Sequence, residues 1–149
     1  MTGKTIKAVL VGSTAALALS MAAAPSSAAS YVDKTARHCT GTNSCGYGIA
    51  VNYWYKKGSN SRGVEWVYAS KDTQSTKTFY ARWTYKKPGG KTHVGKSWKK
   101  ATVEAAGQSN RYMGVSWYAG KHKGPVFPKN TKICIQFKGY STTACVTLK

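Results

Sequence analysis

Acidic residues are scarce in this 149-residue chain, which holds 23 lysines and arginines and has a formal net charge of +19. The only acids are Asp33, Glu65, Asp72 and Glu104. Hydrolysis of the glycosidase type needs two carboxylates flanking one bond, and four acids offer few candidates for such a pair. Glu65 and Glu104 alternate with apolar strand residues, which predicts outward-facing charges rather than a catalytic pair. The surplus of positive charge instead favours an acidic or polyanionic partner.

Other catalytic signatures are also missing from the sequence. It contains no GxSxG segment for a serine nucleophile, no CxxC spacing for zinc and no glycine loop for phosphate. A ribonuclease of the two-histidine type would need two imidazoles and a lysine around one phosphate, with His93 and His122 as first suspects. The alternative is that these are exposed loop histidines. We therefore expect no catalytic residues, no metal and no cofactor.

A long hydrophobic run is absent as well. The apolar segment from Ala8 to Leu19 is interrupted by Gly12 and Ser13 and is shorter than the roughly 20 residues that span a bilayer. Lys4 and Lys7 precede it and small residues follow it, a pattern typical of a secretory signal. The sequence predicts a signal peptide over residues 1–29, cleaved near Ala29, and a secreted domain over residues 30–149 with an N-terminal arm at 30–44.

Four cysteines remain in the predicted mature chain: Cys39, Cys45, Cys134 and Cys145. An even number of cysteines in a small exported domain favours disulfides over metal ligation. Three pairings are possible, and proximity along the chain favours Cys39–Cys45 and Cys134–Cys145. We expect both bonds to form outside the cytoplasm.

Helical periodicity is almost absent, and period-2 alternation takes its place. Alternation places Ile49, Val51 and Tyr53 on one face of a strand, and Val64, Trp66 and Tyr68 together on one face of the next. Seven or eight such strands predict a single antiparallel β-sandwich, immunoglobulin-like in the broad sense, with a small closed barrel as the alternative. The turn at 87–90 contains Pro88 and Gly89, which favour positions two and three of a tight turn.

The C-terminal hairpin is specified by three independent features. Ile133, Ile135 and Phe137 alternate on one strand, and Ala144, Val146 and Leu148 alternate on the next. A two-residue turn at Gly139 and Tyr140 fits a type II′ hairpin. That register sets Cys134 opposite Cys145, within the Cα separation that a disulfide needs.

Basic clusters at strand ends and aromatic rings on outer faces are the features that favour binding. The charges would steer an anionic partner, and the rings would supply contact area. The rings could also be covered by the N-terminal arm or by a loop. The candidate binding residues are the cations Arg82, Lys86, Lys87, Lys99, Lys100 and Arg111 and the aromatics Trp54, Tyr80, Tyr112 and Tyr118.

The export signal, small size and basic β-rich domain resemble small exported proteins of high-GC Gram-positive bacteria. Adaptor subunits of secreted antibacterial toxin particles are compatible in size and class, and the resemblance assigns no residue. We expect a secreted, non-catalytic binding or adaptor module for an acidic protein or an anionic cell-surface polymer or glycan. Nucleic acid is the less favoured partner, and no membrane span is expected. The alternatives are a small secreted nuclease or hydrolase and an antibacterial toxin or inhibitor module.

Overall fold

A computed structural model describes residues 30–41, 45–107 and 110–149, and these residues form ten strands and no helix. The predicted signal peptide at 1–29 and residues 42–44 of the predicted arm lie outside the described residues. The strands are Tyr31–Thr40 (β1), Tyr47–Lys56 (β2), Ser61–Thr73 (β3), Tyr80–Lys86 (β4), Thr92–Lys100 (β5), Thr102–Ala106 (β6), Arg111–Tyr118 (β7), Val126–Pro128 (β8), Lys132–Phe137 (β9) and Thr143–Thr147 (β10).

The strands form two antiparallel sheets, consistent with the predicted sandwich. The six-stranded sheet has the order β1-β2-β3-β7-β6, and β8 pairs with β3. The four-stranded sheet has the order β10-β9-β4-β5. The chain passes from β5 to β6 at Ala101, which is buried and whose N–H donates to Phe79 O at 2.9 Å. No helix within the described residues is long and apolar enough to cross a membrane.

The core lies between the sheets and is built from the inward-facing residues, which alternate with outward-facing residues along each strand. Val51, Val67 and Val115 line it from the six-stranded sheet, and Trp83 and Ile135 line it from the four-stranded sheet. Their burial supplies the main stabilisation, since fully burying one such side chain contributes about 1.5–3 kcal/mol. Alternation predicted the inward positions of Val51 and Ile135 correctly.

One predicted face is wrong. Trp66 and Tyr68 were expected on the same face as Val64, but only Val64 faces the core. Tyr53 pairs with Val64 while Asn52 pairs with Trp66, so Glu65 is an extra residue in β3. Such a bulge reverses the alternation beyond it. Trp66 and Tyr68 therefore lie on the outer face of the six-stranded sheet.

The C-terminal hairpin has the predicted register. Ile133 pairs with Val146, Cys134 pairs with Cys145, and the two cysteines form a disulfide. The turn lies one residue earlier than predicted. Tyr140 N–H donates to Phe137 O at 3.1 Å, so the turn spans residues 137–140 and Gly139, with φ of 83°, is its third residue. A positive φ at the third position is the type II geometry rather than type II′.

The segment expected to be an N-terminal arm forms strand β1, which pairs with β2 along its length. The predicted Cys39–Cys45 disulfide joins its end to the start of the next strand. Two disulfides are typical of proteins that fold in an oxidising compartment outside the cytoplasm. The turn before β5 also matches its prediction, since Gly89 has φ of 67° and Gly90 N–H donates to Lys87 O at 3.0 Å.

Candidate binding faces

The acids of the molecule are confined to one of the two sheets. All four acids lie on strands of the six-stranded sheet: Asp33 on β1, Glu65 and Asp72 on β3, and Glu104 on β6. Each accepts a hydrogen bond from a neighbour, as when His122 N–H donates to Glu65 Oε2 at 3.2 Å. The four-stranded sheet therefore presents its cations without any carboxylate on its own strands.

The outer face of the four-stranded sheet collects cations in rows across the strands. Lys86 of β4 lies opposite Lys132 of β9 at one end, and Lys100 of β5 lies opposite Tyr80 at the other. Beyond β9, Lys138 N–H donates to Tyr80 O at 2.8 Å, which puts Lys138 in the same row as Tyr80. Six residues separate the two rows along β4, or about 20 Å. We call the set Arg82, Lys86, Lys100, Lys132 and Lys138 the cationic face.

Arg82 lies at the centre of this face, and contacts with two neighbouring side chains fix the position of its guanidinium. Its Nε and Nη2 both donate to Gln136 Oε1, at 3.0 and 2.8 Å. Its guanidinium lies 4.5 Å from the Trp98 ring centroid, a cation–π distance. Both contacts leave the positive charge unneutralised, because neither the amide nor the indole is an acid. The centre therefore combines a positioned cation with a half-buried aromatic ring.

The pairing of Lys86 with Lys132 is unfavourable for folding. Like charges directly opposite on neighbouring strands destabilise a sheet. Both side chains are exposed, and neither belongs to an ion pair: within the residues that the structure describes, the one salt bridge joins His122 to Asp33. An anion placed between the two ammonium groups would relieve their repulsion.

The structure does not bring the ten candidate binding residues together. Tyr80, Arg82, Lys86 and Lys100 lie on the cationic face, with Lys87 at the adjoining hairpin turn. Lys99 instead reaches the six-stranded sheet, where its Nζ donates to Ser116 O at 2.8 Å. Arg111, Tyr112, Tyr118 and Trp54 belong to strands of that other sheet.

Trp54 is covered by its neighbours rather than open to a partner. The Tyr31 ring meets it edge-on at 5.1 Å between centroids, and the His122 ring lies 5.6 Å away. Opposite Trp54 in β3 is Gly63, where any side chain would collide with the indole. Strand β1 and the β7–β8 connection therefore cover the ring of Trp54, as the sequence allowed for the outer aromatics.

A groove of about 640 Å³ crosses the outer face of the six-stranded sheet. Its floor includes Ala50 of β2, and Trp66, Tyr68 and Ser70 of β3 lie along one wall. Burial raises the pKa of the Tyr68 phenol, and the charge of Glu104 and the phenol of Tyr112 add to that effect. Tyr68 therefore stays protonated, and able to donate a hydrogen bond, throughout the neutral range.

The two histidines of the hydrolase hypothesis lie on different sheets. His93 stacks on Tyr85 of the four-stranded sheet, with 5.3 Å between centroids. His122 lies against the six-stranded sheet, with its Nε2 2.8 Å from Asp33 Oδ1. They do not converge on one phosphate-sized site, so the two-imidazole mechanism has no geometric support here. Among the described residues, no three His, Cys, Asp or Glu side chains cluster around a metal-sized space.

Sequence reasoning missed Lys132, Lys138 and Trp98 on the cationic face, and Trp66, Tyr68 and Ser70 in the groove. The hairpin register contained a usable signal for Lys132, since it sets that residue on the same face as Cys134. The groove residues were hidden by the bulge at Glu65.

No protein-family model, curated protein or solved structure matches this chain.

Proposed function

We propose that the protein is an exported binding module, an immunoglobulin-like sandwich in the broad sense, whose cationic face recognises a polyanionic partner outside the cell. The observation that carries the proposal is the distribution of the acids: all four lie on one sheet, and the cationic face is on the other, which has no acid on its strands. Export follows from the predicted signal at 1–29, and the two disulfides support it.

The two ends of the cationic face would engage separate anionic groups of one partner. Lys86 and Lys132 lie at one end, Lys100 and Lys138 lie about 20 Å away, and Arg82 lies between. A single small anion cannot occupy both ends, so the arrangement fits a repeating or extended anion. Tyr80, at the Lys100 end, is 41% exposed and would add apolar contact.

Partners with this chemistry are the acidic surface of a protein in a secreted assembly and an anionic wall polymer or glycan. In both cases the charges would mainly raise the rate of encounter and orient the complex. Binding should therefore weaken as salt rises, because exposed charges are screened over about 8 Å at physiological ionic strength.

The test compares two triple variants that remove the same amount of charge. The first carries Lys86→Gln, Lys100→Gln and Lys132→Gln on the cationic face. The matched control carries Lys57→Gln, Lys121→Gln and Lys123→Gln, which are exposed positions in the β2–β3 and β7–β8 connections. Affinity for poly-L-glutamate and for long-chain polyphosphate is measured in low and high salt, with thermal unfolding to verify the fold.

We expect the face variant to bind both polymers at least roughly tenfold more weakly, and the control to lose much less. Equal losses in the two variants would show that net charge, not the face, determines binding. A preference for polyglutamate over polyphosphate would favour a carboxylate-rich protein, and the reverse would favour a phosphate polymer.

A further inference from the structure

The groove on the six-stranded sheet lies above strand β2, where the outward side chains are small. Gly48 and Ala50 form part of its floor, between Arg37 of β1 and Tyr68 of β3. Neighbouring strands lie about 4.8 Å apart, so β1 and β3 are about 10 Å from each other. That width fits one six-membered ring, and the volume of about 640 Å³ lies within the usual range for small-molecule sites.

The floor of the groove offers a ligand no free backbone groups. Ala50 pairs with Arg37 on one side and with Tyr68 on the other, inside a continuous ladder. A peptide that binds as an added strand needs an unpaired sheet edge, and none is present at this floor. Recognition must therefore come from side chains, which favours a compact ligand whose polar groups lie around its rim.

The walls combine ring surfaces with hydroxyl groups. Trp66 and Tyr68 stack on each other with 5.6 Å between centroids and 9° between planes, which leaves no gap for a nucleobase between them. Ser70 Oγ and Tyr112 OH lie 2.9 Å apart, so the pair keeps further donor and acceptor capacity for a ligand. Arg37 adds up to five donors at the opposite wall.

We propose that this groove is a carbohydrate site that binds one pyranose residue. The apolar C–H face of the sugar packs on Trp66 and Tyr68, and its hydroxyls bond to Arg37 and to the Ser70–Tyr112 pair. An aromatic wall beside guanidinium and hydroxyl groups matches a sugar, which is apolar above and below its ring and polar around its edge. This site is separate from the cationic face, so its existence does not depend on the proposed polyanion binding.

Nuclear magnetic resonance titration of the purified chain tests the proposal directly. The probes are the methyl glycosides of glucose, galactose, mannose and N-acetylglucosamine at millimolar concentration, with AMP and an unstructured neutral peptide as competing classes. We expect saturable shifts for at least one glycoside, centred on Arg37, Ala50, Trp66 and Tyr112. Saturation by none of the glycosides, shifts elsewhere, or binding of AMP or the peptide in their place would overturn it.

Two variants locate the site. Ala50→Leu fills the floor, and Tyr112→Phe removes one hydroxyl while it keeps the ring. We expect each to weaken glycoside binding by about tenfold, whereas Lys86→Gln on the other sheet leaves it unchanged. If Ala50→Leu fails to fold, the glycoside affinity of Tyr112→Phe still tests whether the groove is the binding site. A folded Tyr112→Phe variant with unchanged glycoside affinity would contradict the hydroxyl contact. A wild-type protein that binds a glycoside but neither poly-L-glutamate nor polyphosphate would overturn only the cationic-face proposal.

Discussion

Lys71 is a buried cation held by aromatic rings. Its Nζ lies 4.3 Å from the ring centroids of both Tyr47 and Tyr140 and 5.8 Å from that of Phe79. It also donates to Tyr47 OH at 3.1 Å. A buried ammonium is costly unless it is paired, and here π-faces and one hydroxyl compensate for lost water. This lysine therefore stabilises the fold rather than a binding surface.

Tyr47→Phe should destabilise the protein by about 1–3 kcal/mol, because it removes the oxygen that accepts from a charged donor. Tyr140→Phe is the matched control, since it loses the same atom from a ring at the same distance from Lys71. Urea unfolding measures both free energies. Equal effects of the two substitutions would show that the Tyr47 hydroxyl has no special role.

Tyr68 makes stability depend on pH in the alkaline range. Its pKa is raised in the folded state, first by burial and then by Glu104 and Tyr112, so the folded protein holds the phenolic proton more tightly than the unfolded chain. This contribution is complete below the ordinary tyrosine pKa of about 10 and is lost as pH rises through the folded value. Tyr68→Phe should reduce the fall in unfolding free energy above pH 10. An identical alkaline slope in wild type and variant would contradict this.

At the scale of elements, strand β1 is fixed at both ends. The Cys39–Cys45 disulfide ties its C-terminal end to the start of β2. Near its N-terminal end, His122 from the β7–β8 connection lies against Asp33, and its ring is 4.5 Å from that of Tyr31. His122 has φ of 51°, an uncommon value outside glycine that the surrounding contacts must maintain. These contacts make His122 a structural latch on an edge strand.

His122→Ala should release this end of β1. We expect faster hydrogen exchange of the backbone amides paired between Tyr31–Thr35 and β2, with little change in β9 and β10. His93→Ala, which alters a histidine on the other sheet, is the control and should leave β1 unchanged. Unchanged β1 exchange in His122→Ala would contradict the latch. Turnover of RNA by the purified protein that His122→Ala abolishes would support the hydrolase hypothesis instead.

The elements also show how far sequence alone could predict the fold. The register of the C-terminal hairpin was predictable because alternation and the facing cysteines both fix it, although the turn lies one residue earlier than predicted. Strand β3 was only half predictable, because nothing in its composition marks Glu65 as a bulge. That one extra residue turned Trp66 and Tyr68 outward. Strand β1 has no apolar alternation, so its pairing with β2 could not be predicted from the sequence.

At the scale of the whole molecule, the charge count was predictable and its division between sheets was not. Sequence shows that the chain is strongly basic, but which strands share a sheet depends on long-range pairing. The strand order β10-β9-β4-β5 brings Lys86 and Lys132 together. The same order separates Trp54 and Tyr112 from Arg82, which is why the predicted binding residues fall on two faces.

Residue-resolved titration with poly-L-glutamate tests the central claim most directly. Amide shifts are followed across the purified protein as the polymer is added at low salt. We predict shifts concentrated on β4, β5 and β9 around Arg82, Lys86, Lys100 and Lys132, and reversed by added salt. Shifts spread evenly over both sheets, or centred on β1 to β3, would contradict recognition through the cationic face.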